Sequence, residues 1–157
     1  MNNESSEILR MFTVAFDEWA TGPNAKMDLY PEEKRSEIDQ VNDLVYGSIN
    51  DGVYKCGFSR MQGAYNDAVK ELYEGLDKVE EILSKNRYLL GNTITEADIR
   101  LFMTLVRFDE VYVVYFKCNV KRIIDYPNIR NYCRDLYQFP GVGEGISMDH
   151  IKTHYFT

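Results

Sequence analysis

A chain of 157 residues, 45% hydrophobic and 27% charged, has the length of one domain. Folding buries roughly 70% of its unfolded surface, which excludes a disordered tail and a small stapled scaffold. The net charge of −7 has the wrong sign for a general nucleic-acid binder or an anionic membrane surface, so neither partner is expected.

The longest apolar run, Val111 to Phe116, falls far short of the roughly 20 residues a bilayer span needs. The opening MNNESSEILR carries acids where a signal peptide has bases and lacks its apolar stretch. Three cysteines, Cys56, Cys118 and Cys133, have no short spacing, which argues against a disulfide framework or zinc site and for a reducing cytoplasm. Residues 1–100 carry 11 bases against 19 acids, and residues 101–157 carry 7 against 6. Lys117, Lys121, Arg122, Arg130 and Arg134 read as a solvated basic face.

Ile8, Met11, Phe12, Ala15, Phe16 and Trp19 recur at helical steps and predict an amphipathic helix over residues 4–20. Thr21-Gly22-Pro23-Asn24 stops it. Pro31-Glu32-Glu33 opens a second helix, with proline in the first turn and acids at the positive dipole end. Its stripe is Ile38, Val41, Leu44, Val45 and Ile49, and Asn50-Asp51-Gly52 closes it before an irregular Val53 to Phe58. A third helix is striped by Ala64/Tyr65, Ala68/Val69, Leu72/Tyr73, Leu76, Val79 and Ile82/Leu83.

Thr95 and Asp98 have the spacing of a capping box, with Ile94 and Ile99 as its staple. The helix they open is apolar nearly all round through Tyr112, which places it at the centre of a bundle. Asp98 therefore reads as structural, because a buried acid persists only when hydrogen-bonded. Asp125-Tyr126-Pro127-Asn128 opens a further helix with Ile129, Tyr132, Cys133, Leu136 and Tyr137 inward, ended by Phe139-Pro140-Gly141. The Gly141, Gly143, Gly145 run follows no strand, so it is not a dinucleotide loop. Ser147 caps a last helix from Met148 to Tyr155 holding the only histidines, His150 and His154. They sit one turn apart with no third ligand evident, so no metal site is expected. No segment alternates with period two for long, and the fold class is all-α over a single domain, 1–157.

Taken together, the blocks Glu4 to Ile8 with Arg10-Met11-Phe12, Asn50 to Phe58, Leu89 to Leu101, Arg107 to Tyr112, Phe116 to Asn119, Asp125 to Asn128 and Asp149 to Tyr155 resemble the C-terminal helical bundle of a glutathione transferase. The resemblance is specifically to the xi class, the glutathionyl-hydroquinone reductases. The capping segment marks only the superfamily; the Arg-Phe-Asp-x-Val-Tyr and Asp-His-Ile-Lys-x-His-Tyr blocks are far more specific.

The resemblance implies a glutathione-dependent reductase of glutathionyl-hydroquinones. Tyr54 matches the proton donor to the departing ring, and a phenol of pKa about 10 keeps the proton it donates. Tyr112 and Tyr155 match the tyrosines lining the quinol pocket and favouring a thiolate. Glu4 and Ser5 match the pair that holds the γ-glutamyl end of glutathione, the co-substrate. Members of the family begin with a thioredoxin-like domain bearing a Cys-Pro-x-x nucleophile, which these residues lack: none of the three cysteines precedes a proline or opens a helix. The expectation is the quinol-binding half of such an enzyme, inactive alone, dimeric like its relatives, and completed by a thioredoxin-like half that a separate chain could supply. The alternative is a non-catalytic helical dimerisation module of the same fold, for which tyrosines suit interfaces equally well.

Overall fold

The structure is a computed structural model that describes residues 3–22, 25 and 27–157. Pro23 and Asn24 of the expected first stop lie outside the described residues. The helices are α1 (Ser5–Ala15), α2 (Arg35–Val45), α3 (Gly52–Phe58), α4 (Gln62–Lys85), α5 (Glu96–Arg107), the single turn α6 (Val113–Tyr115), α7 (Pro127–Gln138) and α8 (Met148–Phe156). Among the described residues the only extended pairing is one isolated bridge, Tyr88 with Gly91.

The core is built on α4 and α5. The stripe Ala68, Leu72, Tyr73, Leu76, Val79 and Leu83 of α4 is buried, as its spacing requires. α3 lies along α4, α2 along α5, and α7 against both. Gly75 lets α4 approach the 46–50 segment: a Cβ there would stand 2.4 Å from the Ser48 hydroxyl. α7 takes its cap from another helix, because the Glu80 carboxylate on α4 accepts the amides of Asn128 and Ile129 at 3.0 and 2.9 Å. Asp125, in the expected opening turn of α7, bonds Arg122 instead.

Two sequence expectations need correction. The second helix does not close at Asn50-Asp51-Gly52; the chain widens into a π-helical turn over Tyr46–Asn50 and runs on into α3. Val53 to Phe58 is therefore helical rather than irregular. Wider i→i+5 bonding absorbs an extra residue and re-aims the following side chains, which local propensity does not disclose. The apolar face of α1 is also not part of the core. No residue of α1 is buried, and Phe12 and Trp19 are 62% and 66% exposed.

Polar bonds hold α1 instead. Arg10 donates to both oxygens of the buried Glu96, at 2.9 and 2.8 Å, and to Asp39 at 2.7 Å. Its guanidinium lies 3.7 Å above the Tyr30 ring. Asn42 donates to the same Glu96 carboxylate at 2.9 Å.

Thr95 and Asp98 form the capping box of α5. The Asp98 carboxylate, fully buried, accepts the Thr95 amide at 2.8 Å and its hydroxyl at 3.1 Å. It also accepts the Leu89 amide at 2.9 Å and the Tyr132 hydroxyl at 3.0 Å. Burial pushes its carboxyl above the usual range, against the pull of those donors. Asp98→Asn puts an amide NH2 against buried donors and should cost about 3 kcal/mol in urea unfolding. A loss under about 0.5 kcal/mol, the scale of a surface change, would show that these four bonds do not fasten the bundle.

Candidate functional site

α3, α5 and α8 converge on one open cleft of about 630 Å3. Each wall has a distinct origin. After Arg107, α5 loosens into a second π-helical turn, Phe108–Tyr112, which turns the Tyr112 ring inward. α3, set by the first π turn, contributes Tyr54, and α8 contributes Tyr155. Both π turns border the cleft, since Tyr46 and Asn50 of the first one line it too. π-bulges inside helices often mark functional sites.

The three phenols meet through their hydroxyls. Tyr155 Oη lies 2.7 Å from Tyr54 Oη and 3.1 Å from Tyr112 Oη. The ring of Tyr112 stands perpendicular to that of Tyr155 at 5.7 Å. Phe116 backs the cluster, stacked on Tyr112 at 5.3 Å and edge-on to Tyr54 at 5.1 Å. It fits only because position 57 is glycine: a Cβ there would stand 2.3 Å from the Phe116 ring. Tyr112 is 2% exposed, whereas Tyr54 and Tyr155 are half-buried. The cluster thus offers hydroxyls from two accessible rings braced by a buried third.

The sequence expectation that brought Tyr54, Tyr112 and Tyr155 to one cleft matches this geometry, although Tyr54 projects from a helix and not from a loop. Glu4 and Ser5 stand elsewhere, at the start of α1, and do not line the tyrosine cleft. Sequence reasoning missed Arg107, His150 and His154, which line it with Asp51. The one-turn spacing of the histidines beside Tyr155 is the signal in the sequence. Among the described residues no group of three or more His, Cys, Asp and Glu side chains is placed to hold a metal ion.

The cysteines are not presented to the cleft. Cys56 and Cys118 are buried; the Cys118 thiol donates to the Phe116 carbonyl at 3.9 Å, and the proximity of the two thiols lowers Cys56 and raises Cys118. Burial pushes the Cys133 thiol up to about 12. A nucleophile needs an accessible thiolate, and none of the three offers one.

Burial, then the hydrogen bond with Tyr155 and the neighbouring Tyr54 phenol, hold the Tyr112 phenol well above the ordinary tyrosine range. Its folded pKa is thus raised, so the stability it confers is whole below the unfolded value near 10 and is lost as pH rises through the folded value. Unfolding free energy should therefore fall between about pH 9 and 11.5, and less steeply in Tyr112→Phe. Equal slopes in the two proteins would remove Tyr112 from the alkaline transition.

Known proteins share both the sequence and this architecture. Residues 62–135 match the family described as "Glutathione S-transferase, C-terminal domain". Glutathionyl-hydroquinone reductase YqjG of Escherichia coli is 51% identical over 156 residues, covering 99% of this chain and 47% of the relative. Glutathionyl-hydroquinone reductase PcpF of Sphingobium chlorophenolicum is 47% identical, covering 99% and 49%. The chain spans about half the length of the curated relatives it matches. Among solved structures, the glutathione-S-transferase Xi of Phanerochaete chrysosporium superposes with a TM-score of 0.93 at 54% identity, over 99% of this chain and 53% of that one. Glutathione-bound YqjG superposes with a TM-score of 0.93 at 50% identity, over 99% and 49%. By sequence and by fold, the chain belongs to the C-terminal helical domain of the glutathione transferases, in the branch of the xi class and the glutathionyl-hydroquinone reductases.

Proposed function

We propose that these residues form the quinol-binding half of a glutathione-dependent reductase of glutathionyl-hydroquinones. The observation that carries the reading is the shared hydroxyl contact of Tyr54, Tyr155 and Tyr112 at the floor of an open cleft. Such a floor suits a flat ring bearing hydroxyls, with aromatic faces for stacking and phenols for hydrogen bonds.

The reaction asks little more of this half. A cysteine thiolate supplied by a thioredoxin-like domain attacks the glutathionyl sulfur. The ring-carbon–sulfur bond breaks, and its electron pair leaves with the ring. Tyr54 gives its proton to that carbon and is reprotonated through the phenol relay of Tyr155 and Tyr112. Glutathione remains as a mixed disulfide until a second glutathione takes it off as oxidised glutathione. Glu4 and Ser5 hold the γ-glutamyl end, Ser5 through its hydroxyl and Glu4 through the ammonium. Arg10, anchored on Glu96, keeps the helix that carries them in place.

With no accessible thiolate of its own, the 157-residue chain should bind glutathionyl-menadiol, with amide shifts around Tyr54 and Tyr155, and reduce it no faster than buffer. Tyr54→Phe should leave unfolding free energy within about 1 kcal/mol, because a hydroxyl bonded at an open cleft contributes little to folding. Turnover comparable with a full-length relative would mean that Cys56, Cys118 or Cys133 serves as nucleophile. Absence of binding would remove the quinol reading.

A second reading, a helical assembly module, draws on the exposed Phe12 of α1 and Phe16 and Trp19 just after it. A tight dimer in sedimentation, with no quinol bound, would favour it; a dimer that binds quinol would fit the homodimer expected of the reductase.

A further inference from the structure

The cleft has a polar asymmetry that the quinol reading leaves unused. Arg107, the last residue of α5, lines it together with His150 and His154 of α8. The residue is half-buried, and the hydrogen bond of its guanidinium runs back along the helix to the Met103 carbonyl. It enters no salt bridge among the described residues. Arg10, Arg87, Arg100 and Arg122 each pair with a carboxylate; of the arginines without such a pair among the described residues, Arg107 is the one that lines this cleft.

The nearby acids are already engaged. Asp51, the acid lining the cleft, lies 3.7 Å from Lys55. Glu110, beyond Arg107 on the π turn, pairs with Lys152 of α8 at 2.6 Å. What faces the cleft from this side is one guanidinium without a carboxylate partner, in a wall it shares with two imidazoles. The Arg107 charge also reaches the phenol cluster: burial raises the Tyr155 phenol, and Arg107 counters that rise.

A planar guanidinium left without a carboxylate in a partly desolvated wall matches the geometry of a ligand carboxylate, which it can hold through two parallel bonds. A cleft of about 630 Å3 has room for a ring and such a substituent together. We propose that Arg107, with His150 and His154, is an anion subsite, and that the quinols this cleft takes carry a carboxylate or similar acidic group on the ring. The proposal rests on the quinol reading of the same cleft. The tyrosine hydroxyls then hold the ring oxygens while Arg107 fixes the ring's orientation, making it a specificity residue and not a participant in bond breaking.

Gentisate (2,5-dihydroxybenzoate) and hydroquinone differ by that carboxylate alone. Titrated into the intact chain at low salt and followed by amide chemical shifts, gentisate should bind about tenfold more tightly, the scale of one charge-assisted contact. Arg107→Gln should bring the ratio near one without changing hydroquinone affinity, and Arg107→Lys should keep part of the preference, with amide spectra confirming that both variants fold. Equal affinities in the unmodified chain, or a preference that survives Arg107→Gln, overturns the subsite and leaves the quinol reading intact. Arg107-dependent binding of gentisate with no binding of hydroquinone supports the subsite and overturns the quinol reading. Failure of both ligands to bind overturns both.

Discussion

Two buried carboxylates in the first turn of α5 set the arrangement of the whole bundle. Glu96 and Asp98 are 1% and 0% exposed, and an ionised carboxyl removed from water costs several kcal/mol unless donors surround it. Glu96 collects Arg10 from α1 and Asn42 from α2. Asp98 collects Leu89 from the turn before the helix and Tyr132 from α7. Four separate pieces of chain must therefore converge on one helical turn. Hydrophobic burial along α4 and α5 supplies the driving force, but it is non-directional; the two acids fix which elements meet and where.

The consequence reaches the other end of the same helix. α5 is pinned at its start, so its far end has a defined position, and there it opens into the π turn that carries Tyr112. The first π turn, between α2 and α3, does the same for Tyr54. α8, capped by Ser147 accepting the His150 amide, brings Tyr155 between them. The cleft is thus a product of two helical irregularities held in a rigid frame, which is the usual relation of a functional site to its scaffold. α1 belongs to neither core nor cleft: it hangs on Arg10, with its aromatic side chains exposed. That composition suits a surface another domain or subunit would cover.

The all-α class, the stripe of α4, the Thr95–Asp98 box and the central place of α5 were legible because each follows from local spacing. The convergence of Tyr54, Tyr112 and Tyr155 came from family resemblance, since nothing in their spacing requires 101 residues of separation to close to 2.7 Å. The π turns were illegible: they preserve helical composition while shifting register, so residues 46–58 read as a helix end and a loop. The exposure of the α1 face was also hidden, because an amphipathic stripe states what a helix would bury but not whether this chain supplies the partner surface. That Arg107 and the two histidines share one cleft was not legible, because the one-turn spacing of the histidines shows that they sit on one side of a helix but not what that side faces.

The proposed role of this bundle, as the proton-donating, ring-holding side of a glutathionyl-hydroquinone reductase, is open to a direct test. The direct measurement is glutathionyl-hydroquinone reduction by a chimera in which residues 1–157 replace the matching half of the Escherichia coli reductase, to which they are 51% identical. The account predicts a folded, active chimera whose kcat falls about a hundredfold with Tyr54→Phe, the scale of losing a positioned acid, while glutathione affinity is unchanged. A folded, active chimera indifferent to Tyr54→Phe would contradict it.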